Sequence, residues 1–275
     1  MTGLFNYLHR ASPVHRLTGA TKLAALLLLS LAGMTTFDTR LLAVLAVFAF
    51  VMFGVSKIRL REVSVLLWFT FVFMVLNNIL IYAFEPEQGV SIYGTRHELC
   101  HLFGRYYLTK EQLFYQLNVV LKYLAMIPLV ILFVSTTNPS EFAASLSRLG
   151  ISYKIAYSVA LALRYIPDIQ REYHDISLSL QARGVEMTKK ERLLKRIKNA
   201  ATILFPLILT SMQKIETIAN AMELRSFGKN KKRTWYMANP FRAADYAVIV
   251  GSVLVLLFSI LLTAVNRGRF FNPFL

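Results

Sequence analysis

Cysteine is all but missing from these 275 residues: Cys100 stands alone, which excludes an intrachain disulfide and leaves the redox compartment open. No G-x-x-x-x-G-K-[ST] run occurs, so the chain has no phosphate cradle and cannot itself spend ATP. No cleavable leader is expected, because roughly 20 mixed residues with basic and polar side chains precede the first apolar run and no small-residue cleavage site follows a short apolar core. Acidic residues are scarce, 15 against 31 Lys+Arg, for a formal charge of +16. What is plentiful is apolar: 56% hydrophobic and 13% aromatic residues, more than a soluble domain needs for one core. The surplus implies lipid as solvent, and the cations imply that a bilayer-embedded half carries a strongly basic aqueous half.

Five apolar stretches are visible, at 23–37, 41–55, 64–84, 113–135 and 243–265. The first two have about 15 residues where about 17 to 25 is usual for a span, so a tight hairpin with borrowed flanking residues is expected, a re-entrant pair being the alternative. "DTR" (38–40) joins them, "KIRLRE" (57–62) is a polar break, and 85–112 is expected to be a polar loop. The chain thus divides into an N-terminal transmembrane bundle of about four spans (1–135), a cytoplasmic region (136–242), and a C-terminal transmembrane helix with its tail (243–275). Arg10, Arg16 and Lys22 precede the first span, Lys57, Arg59 and Arg61 follow the second, and 136–242 holds most of the other cations. With alternating spans these three regions share a side, and retention of positive charge makes it the cytoplasmic one. The N-terminus is therefore expected inside and the C-terminus outside.

Within 136–242, "TTNPSEFAASLSRLG" reads as a short helix with Asn138 as N-cap, Pro139 in the first helical position, Glu141 reaching back in a capping box and Gly150 as the stop. A second helix is expected from about 153 to 182, interrupted by Pro167. Its residues Ile166, Ile169, Tyr173, Ile176 and Leu180 recur at alternating spacings of 3 and 4, a helix-packing seam. A third, from about 189 to 224 and carrying Pro206, repeats the pattern in Ile197, Ala201, Leu204, Ile208, Ser211, Ile215, Ile218 and Met222. One further step of three lands on Arg183 in one helix and on Arg225 in the other. Gly184 and Gly228 follow as terminators. Cations at helix C-termini complement the macrodipole and need no other task, but two in matched phase with small neighbours suit pairing with carboxylates at an interface.

These motifs, "TTNPSEF", "ALRYIPDIQREYHDISLSLQARGVE", "LFPLILTSMQKIETIANAMELRSFG" and more loosely "HRLTGATKL", resemble the transmembrane T component of energy-coupling factor transporters, the vitamin and transition-metal importers of prokaryotes. The resemblance spans essentially the whole chain. It implies an all-α membrane protein of about five transmembrane helices plus a cytoplasmic domain of long crossed coupling helices, resident in the prokaryotic cell membrane. It further implies that Ala182-Arg183-Gly184 and the motif at Arg225-Ser226 dock on two ABC-type ATPase subunits, with Arg164, Pro167 and Glu223 in support. A small substrate-binding membrane subunit completes the set of partners. ATP and Mg would be bound by the ATPases, leaving no cofactor and no catalytic residue in this chain. Two departures stand out: Leu224-Arg225-Ser226 replaces the family's usual Ala-Arg-Gly, and Thr18-Gly19 stands where Asp-Pro usually precedes the lysine, here Lys22.

Three rival readings arise from other residues. His97-Glu98-Leu99-Cys100-His101 is a formal H-E-x-x-H, which on a helix sets two imidazoles one turn apart as in zinc hydrolases. It lies in a short loop with no third ligand nearby, so metal binding by His97 and His101 is a weak candidacy and a membrane metalloprotease the alternative function. A conventional substrate-binding ABC permease would need polar groups along the spans, where Asn77, Asn78, Gln116, Asn118 and Lys122 are the candidates; Lys122 is expected to meet a neighbouring subunit or to snorkel. Basic runs at 189–199 and 228–233 have the electrostatics for nucleic acid but no stacking aromatics, so anionic lipid is the expected contact and nucleic acid is not.

Overall fold

The computed structural model describes residues 12–103, 106–184, 193–230, 234–235, 239–266 and 268–274, with side chains described outside 101–103 and 193–199. Arg10, the side chains of the 189–199 run (Ile197 among them) and residues 231–233 lie outside the described residues. In chain order the elements are α1 (Gly19–Thr35), α2 (Thr39–Val55), α3 (Leu60–Phe84), α4 (Gln88–Tyr93), β1 (Glu98–Phe103), β2 (Tyr106–Thr109), α5 (Lys110–Thr136), α6 (Pro139–Arg148), α7 (Tyr153–Ala182), α8 (Leu193–Leu224) and α9 (Ala243–Val265). They group into two units: unit 1 combines Met1–Glu141 with Asn239–Leu275, and unit 2 is Phe142–Ala238.

The chain is an all-α membrane protein, and unit 1 holds its long apolar helices. Helices α3, α5 and α9 are long and apolar enough to cross a bilayer, while α1 and α2 are apolar helices of 17 residues. At 1.5 Å per residue the short pair reaches about 25 Å, less than the roughly 30 Å of a hydrocarbon core. Thr18 and Asp38 cap α1 and α2 by accepting from Thr21 N–H and Arg40 N–H, which fixes where each begins. Leu29, Leu41, Leu45, Ala46, Ala49, Ala125 and Leu129 form the core where α1, α2 and α5 meet. Its small residues let backbones approach where no hydrophobic effect drives helices together. Between α1 and α9 the Ser259 hydroxyl donates to the Ala32 carbonyl at 2.8 Å. By contrast, α3 buries Val63 alone, so almost its whole surface is available to lipid.

The contacts also order the ends. Thr18 meets Asp245 at the start of α9, and Lys22 meets Thr136 at the end of α5. At the opposite face the α1–α2 turn meets the C-terminal tail: Phe37 N–H donates to the Arg269 carbonyl at 2.7 Å, and Asn266 donates to Asp38 at 2.9 Å. The 85–112 stretch lies on that face too, and it is not the expected loop. It holds α4 and an antiparallel hairpin in which Glu98 pairs with Thr109 and Cys100 with Leu108. Gly89 is required there, because a Cβ would fall 2.5 Å from the Glu111 and Gln112 backbone.

Unit 2 is built on α7 and α8. The α6 turn leading into it ends as expected: Gly150 has φ +97° and Ile151 N–H donates to the Leu146 carbonyl at 3.1 Å. Asn138 accepts from Ser140 N–H as N-cap. Helices α7 and α8 run antiparallel, since Phe227, just past α8, packs on Tyr153 and Tyr157 at the start of α7, with ring centroids 5.6 and 4.8 Å apart. The expected seam is only partly used. Ile166, Ile169, Tyr173, Ile208 and Ile215 remain 40 to 64% exposed, because the paired helices share one groove of about 380 Å³ lined by residues such as Leu161, Ile169, Ile215 and Met222 instead of a continuous stripe.

Candidate functional site

The ends of α7 and α8 have one design. Arg183 is the C-cap of α7, with Gly184 next in the left-handed region at φ +84°; Gly184 N–H donates to Gln181 C=O at 3.0 Å. After α8, Ser226 takes the same place at φ +53°, its N–H donating to Glu223 C=O at 2.8 Å while Phe227 N–H reaches Met222 C=O at 2.9 Å. These two bonds are the Schellman pair that satisfies the last carbonyls of a helix. Arg225 is therefore the cap residue, and Ser226, not the expected Gly228, turns the chain. Ala182, Arg183, Gly184, Arg225 and Ser226 are all exposed, so the motif residues stand at the surface of unit 2 rather than inside it.

A pair that no apolar pattern marks joins the two helices midway between these tips. Lys214 Nζ donates to Glu172 Oε2 at 2.7 Å across α7 and α8. That hydrogen bond holds the Glu172 carboxyl below its ordinary range, and the same bond raises the Lys214 ammonium. Eleven residues separate Glu172 from Arg183, and eleven separate Lys214 from Arg225. Each arginine thus stands about 16 Å along its helix from the shared pair, in opposite directions. The forty-two-residue offset that relates the arginines relates the pair as well, and this was the signal that could have found it. Of the supporting residues, Arg164 and Pro167 are exposed along α7, and Glu223 supplies the carbonyl for Ser226.

The rival sites are differently built. From Glu98 on, the H-E-x-x-H segment is strand and not helix, so positions 97 and 101 are not set one helical turn apart. His97 Nδ1 is 2.6 Å from Glu111 Oε1, and the buried carboxylate also accepts from Thr95 and from His97 N–H. The His101 side chain lies outside the described residues, and among those described no group of three His, Cys, Asp or Glu could hold a metal. Among the polar residues of the spans, Gln116 and Asn118 are paired within the chain, whereas the buried Asn78 Oδ1 has no hydrogen-bond partner among the described residues. Gln116 donates to the Asn78 carbonyl at 3.2 Å, and Asn118 bonds Thr39 and Tyr93. Lys122 sits 3.8 Å from the centre of the Phe37 ring, an internal cation–π contact.

Comparison with known proteins agrees in kind. The cobalt transport protein family, CbiQ, matches residues 10–236. The chain is 24% identical over 273 residues to the energy-coupling factor transporter transmembrane protein EcfT of Exiguobacterium sibiricum, covering 96% of each. It is 23% identical to the EcfT protein of Bacillus subtilis, over 90% of this chain and 93% of that one. With the EcfT protein of Limosilactobacillus fermentum identity rises to 32%, over 53% of this chain and 60% of that one.

Proposed function

The chain belongs to the CbiQ family, the transmembrane T components of energy-coupling factor transporters, and from that premise we propose that it is the scaffold through which two cytoplasmic ABC-type ATPases drive a substrate-capture membrane subunit. The observation that carries the reading is the pair of exposed cap arginines, Arg183 and Arg225, set at equal distances in opposite directions from the Glu172–Lys214 contact. Two tips so separated address two partners. Arginine suits the task because its fork pairs bidentately with carboxylates and keeps its charge at any physiological pH.

In mechanism, ATP and Mg bound by the partners supply the work, and this chain supplies grip and leverage. Closure of the ATPases would draw on the two guanidinium tips and shift α7 and α8. The exposed apolar residues of those helices would form the platform for a small membrane subunit carrying a vitamin or a transition-metal ion. In this reading 136–242 is cytoplasmic, the chain sits in the prokaryotic cell membrane with its N-terminus inside, and the face holding the α1–α2 turn and the C-terminal tail is external. The positive-inside distribution of cations supports that orientation.

The test is affinity purification in mild detergent. Wild type should retain two ATPases and a small membrane protein. Arg183→Glu should insert normally yet recover at least about thirtyfold less ATPase, since losing one side of a buried charge pair costs about 2 kcal/mol or more. Arg225→Glu should behave alike, and the double change should be worse than either. Undiminished recovery in all three would overturn the assignment of the tips.

A further inference from the structure

A cluster on the face of unit 1 opposite the C-terminal tail gathers both chain connections to unit 2. The chain leaves unit 1 after Glu141 and returns at Asn239. Lys22, closing the first turn of α1 and 5% exposed, donates from Nζ to the Thr136 carbonyl at 2.9 Å, where α5 ends. The same nitrogen lies 3.9 Å from the Glu141 carboxylate in the first turn of α6. On the return side, the fully buried Asp245 accepts from Arg242 N–H at 2.8 Å and from Thr18 N–H at 2.9 Å. Its charge also acts on the Lys22 ammonium. One buried cation therefore faces a carboxylate from each connection.

Such an arrangement is costly if its only task is to pack helices. A buried ammonium loses its hydration and recovers it only through well-placed partners, and apolar residues of like volume usually serve stability as well or better. Here the partners are unequal. The Thr136 carbonyl, one of the orphan acceptors at a helix end, holds the nitrogen closely. The Glu141 carboxylate sits at the outer limit of an ion pair, where a shift of about 1 Å decides whether the contact is made. Asp245 stays nearby, its two oxygens already fixed by backbone donors, so the ammonium keeps a counter-charge when Glu141 moves.

We propose that Lys22 is a positioning residue for energy coupling: it clamps the two connections through which movement of unit 2 reaches α1, α5 and α9. This rests on the scaffold reading and adds the point at which displacement enters the membrane helices. It also gives a task to "HRLTGATKL", which the arginine tips leave unexplained.

The experiment uses the co-purified complex with Mg-ATP and vanadate as the probe, so no transported substrate is needed. Hydrogen exchange is followed around Thr18 and Asp245, together with ATPase recovery and hydrolysis. In wild type, nucleotide should change exchange at both places. Lys22→Met should keep its ATPases and their hydrolysis while the nucleotide-dependent change falls by about tenfold, within the ordinary range of coupling between sites. Lys22→Arg should restore most of it. Glu141→Gln, which leaves the Thr136 bond intact, should reduce the change by a smaller factor, and it decides the matter alone if Lys22→Met does not accumulate. Wild-type exchange changes in Glu141→Gln, or in Lys22→Met where that variant accumulates, overturn the inference. A wild-type preparation without ATPases would instead defeat the scaffold reading, and that result is read before any variant is made.

Discussion

At the scale of single residues, the two arginine tips differ by one side chain that matters to the backbone. Gly184 occupies the left-handed region without cost, whereas Ser226 carries a Cβ there, a conformation that disfavours ordinary L-residues by about 1 to 2 kcal/mol. Ser226→Gly should therefore stabilise the end of α8 by about 1 kcal/mol, and Gly184→Ala should destabilise the end of α7 by a similar amount. Amide exchange of the last turn in each helix measures both. Because the serine hydroxyl is not what holds the turn, Ser226→Gly should leave ATPase recovery unchanged. The arginines themselves were legible in the sequence, since each continues an apolar seam by one step of three. The turn residue after Arg225 was not, because glycine is the residue expected in that conformation and Gly228 stands close by.

At the scale of elements, α6, α7 and α8 followed from periodicity and caps, and the start of α7 and the ends of both long helices fell where pattern and propensity agree. How the long helices meet did not follow. A stripe at spacings of 3 and 4 says that a face is apolar, not how much of it another helix of the same chain will cover, and much of it stays exposed. The Glu172–Lys214 bond is a polar contact that joins them, and its pH dependence has a definite sign. Glu172 is depressed in the folded state, so its contribution is complete above the ordinary carboxylate range and lost as pH falls through the depressed value. Lys214 is raised, so its contribution is complete below the ordinary lysine range and lost as pH rises through the raised value. Thermal unfolding in detergent should show a plateau through neutral pH with losses at both extremes. Glu172→Gln should flatten the acid limb, and the reversed pair Glu172→Lys with Lys214→Glu should restore both. An unaltered profile in Glu172→Gln would remove the pair from the account of stability.

At the scale of the whole chain, the five apolar helices could be read from hydropathy, two of them short. What the hydropathy does not show is a long-range, aromatic cover over the turn between those two. The α1–α2 turn is buried, with Thr36 at 0% and Asp38 at 1% exposure, and it is covered by the tail that follows α9. Phe270 stacks on Phe37 with centroids 4.7 Å apart, the Arg40 guanidinium lies 4.0 Å over Phe271, and Phe274 meets Tyr93, Phe114 and His97. Asn272 donates to the Tyr93 carbonyl at 2.9 Å. The turn of the short hairpin is thus covered by protein, which satisfies backbone groups that lipid could not. Cutting the chain after Asn266 should uncover this turn, lower the thermal midpoint in detergent and raise hydrogen exchange at residues 35–40, with the arginine tips still able to recover ATPases. Phe270→Ala alone should cost about 2 kcal/mol, half the loss at a fully buried site, because its ring is only partly covered. If truncation left the midpoint and the exchange of the turn unaltered, the tail would be an appendage and not the cover of the turn.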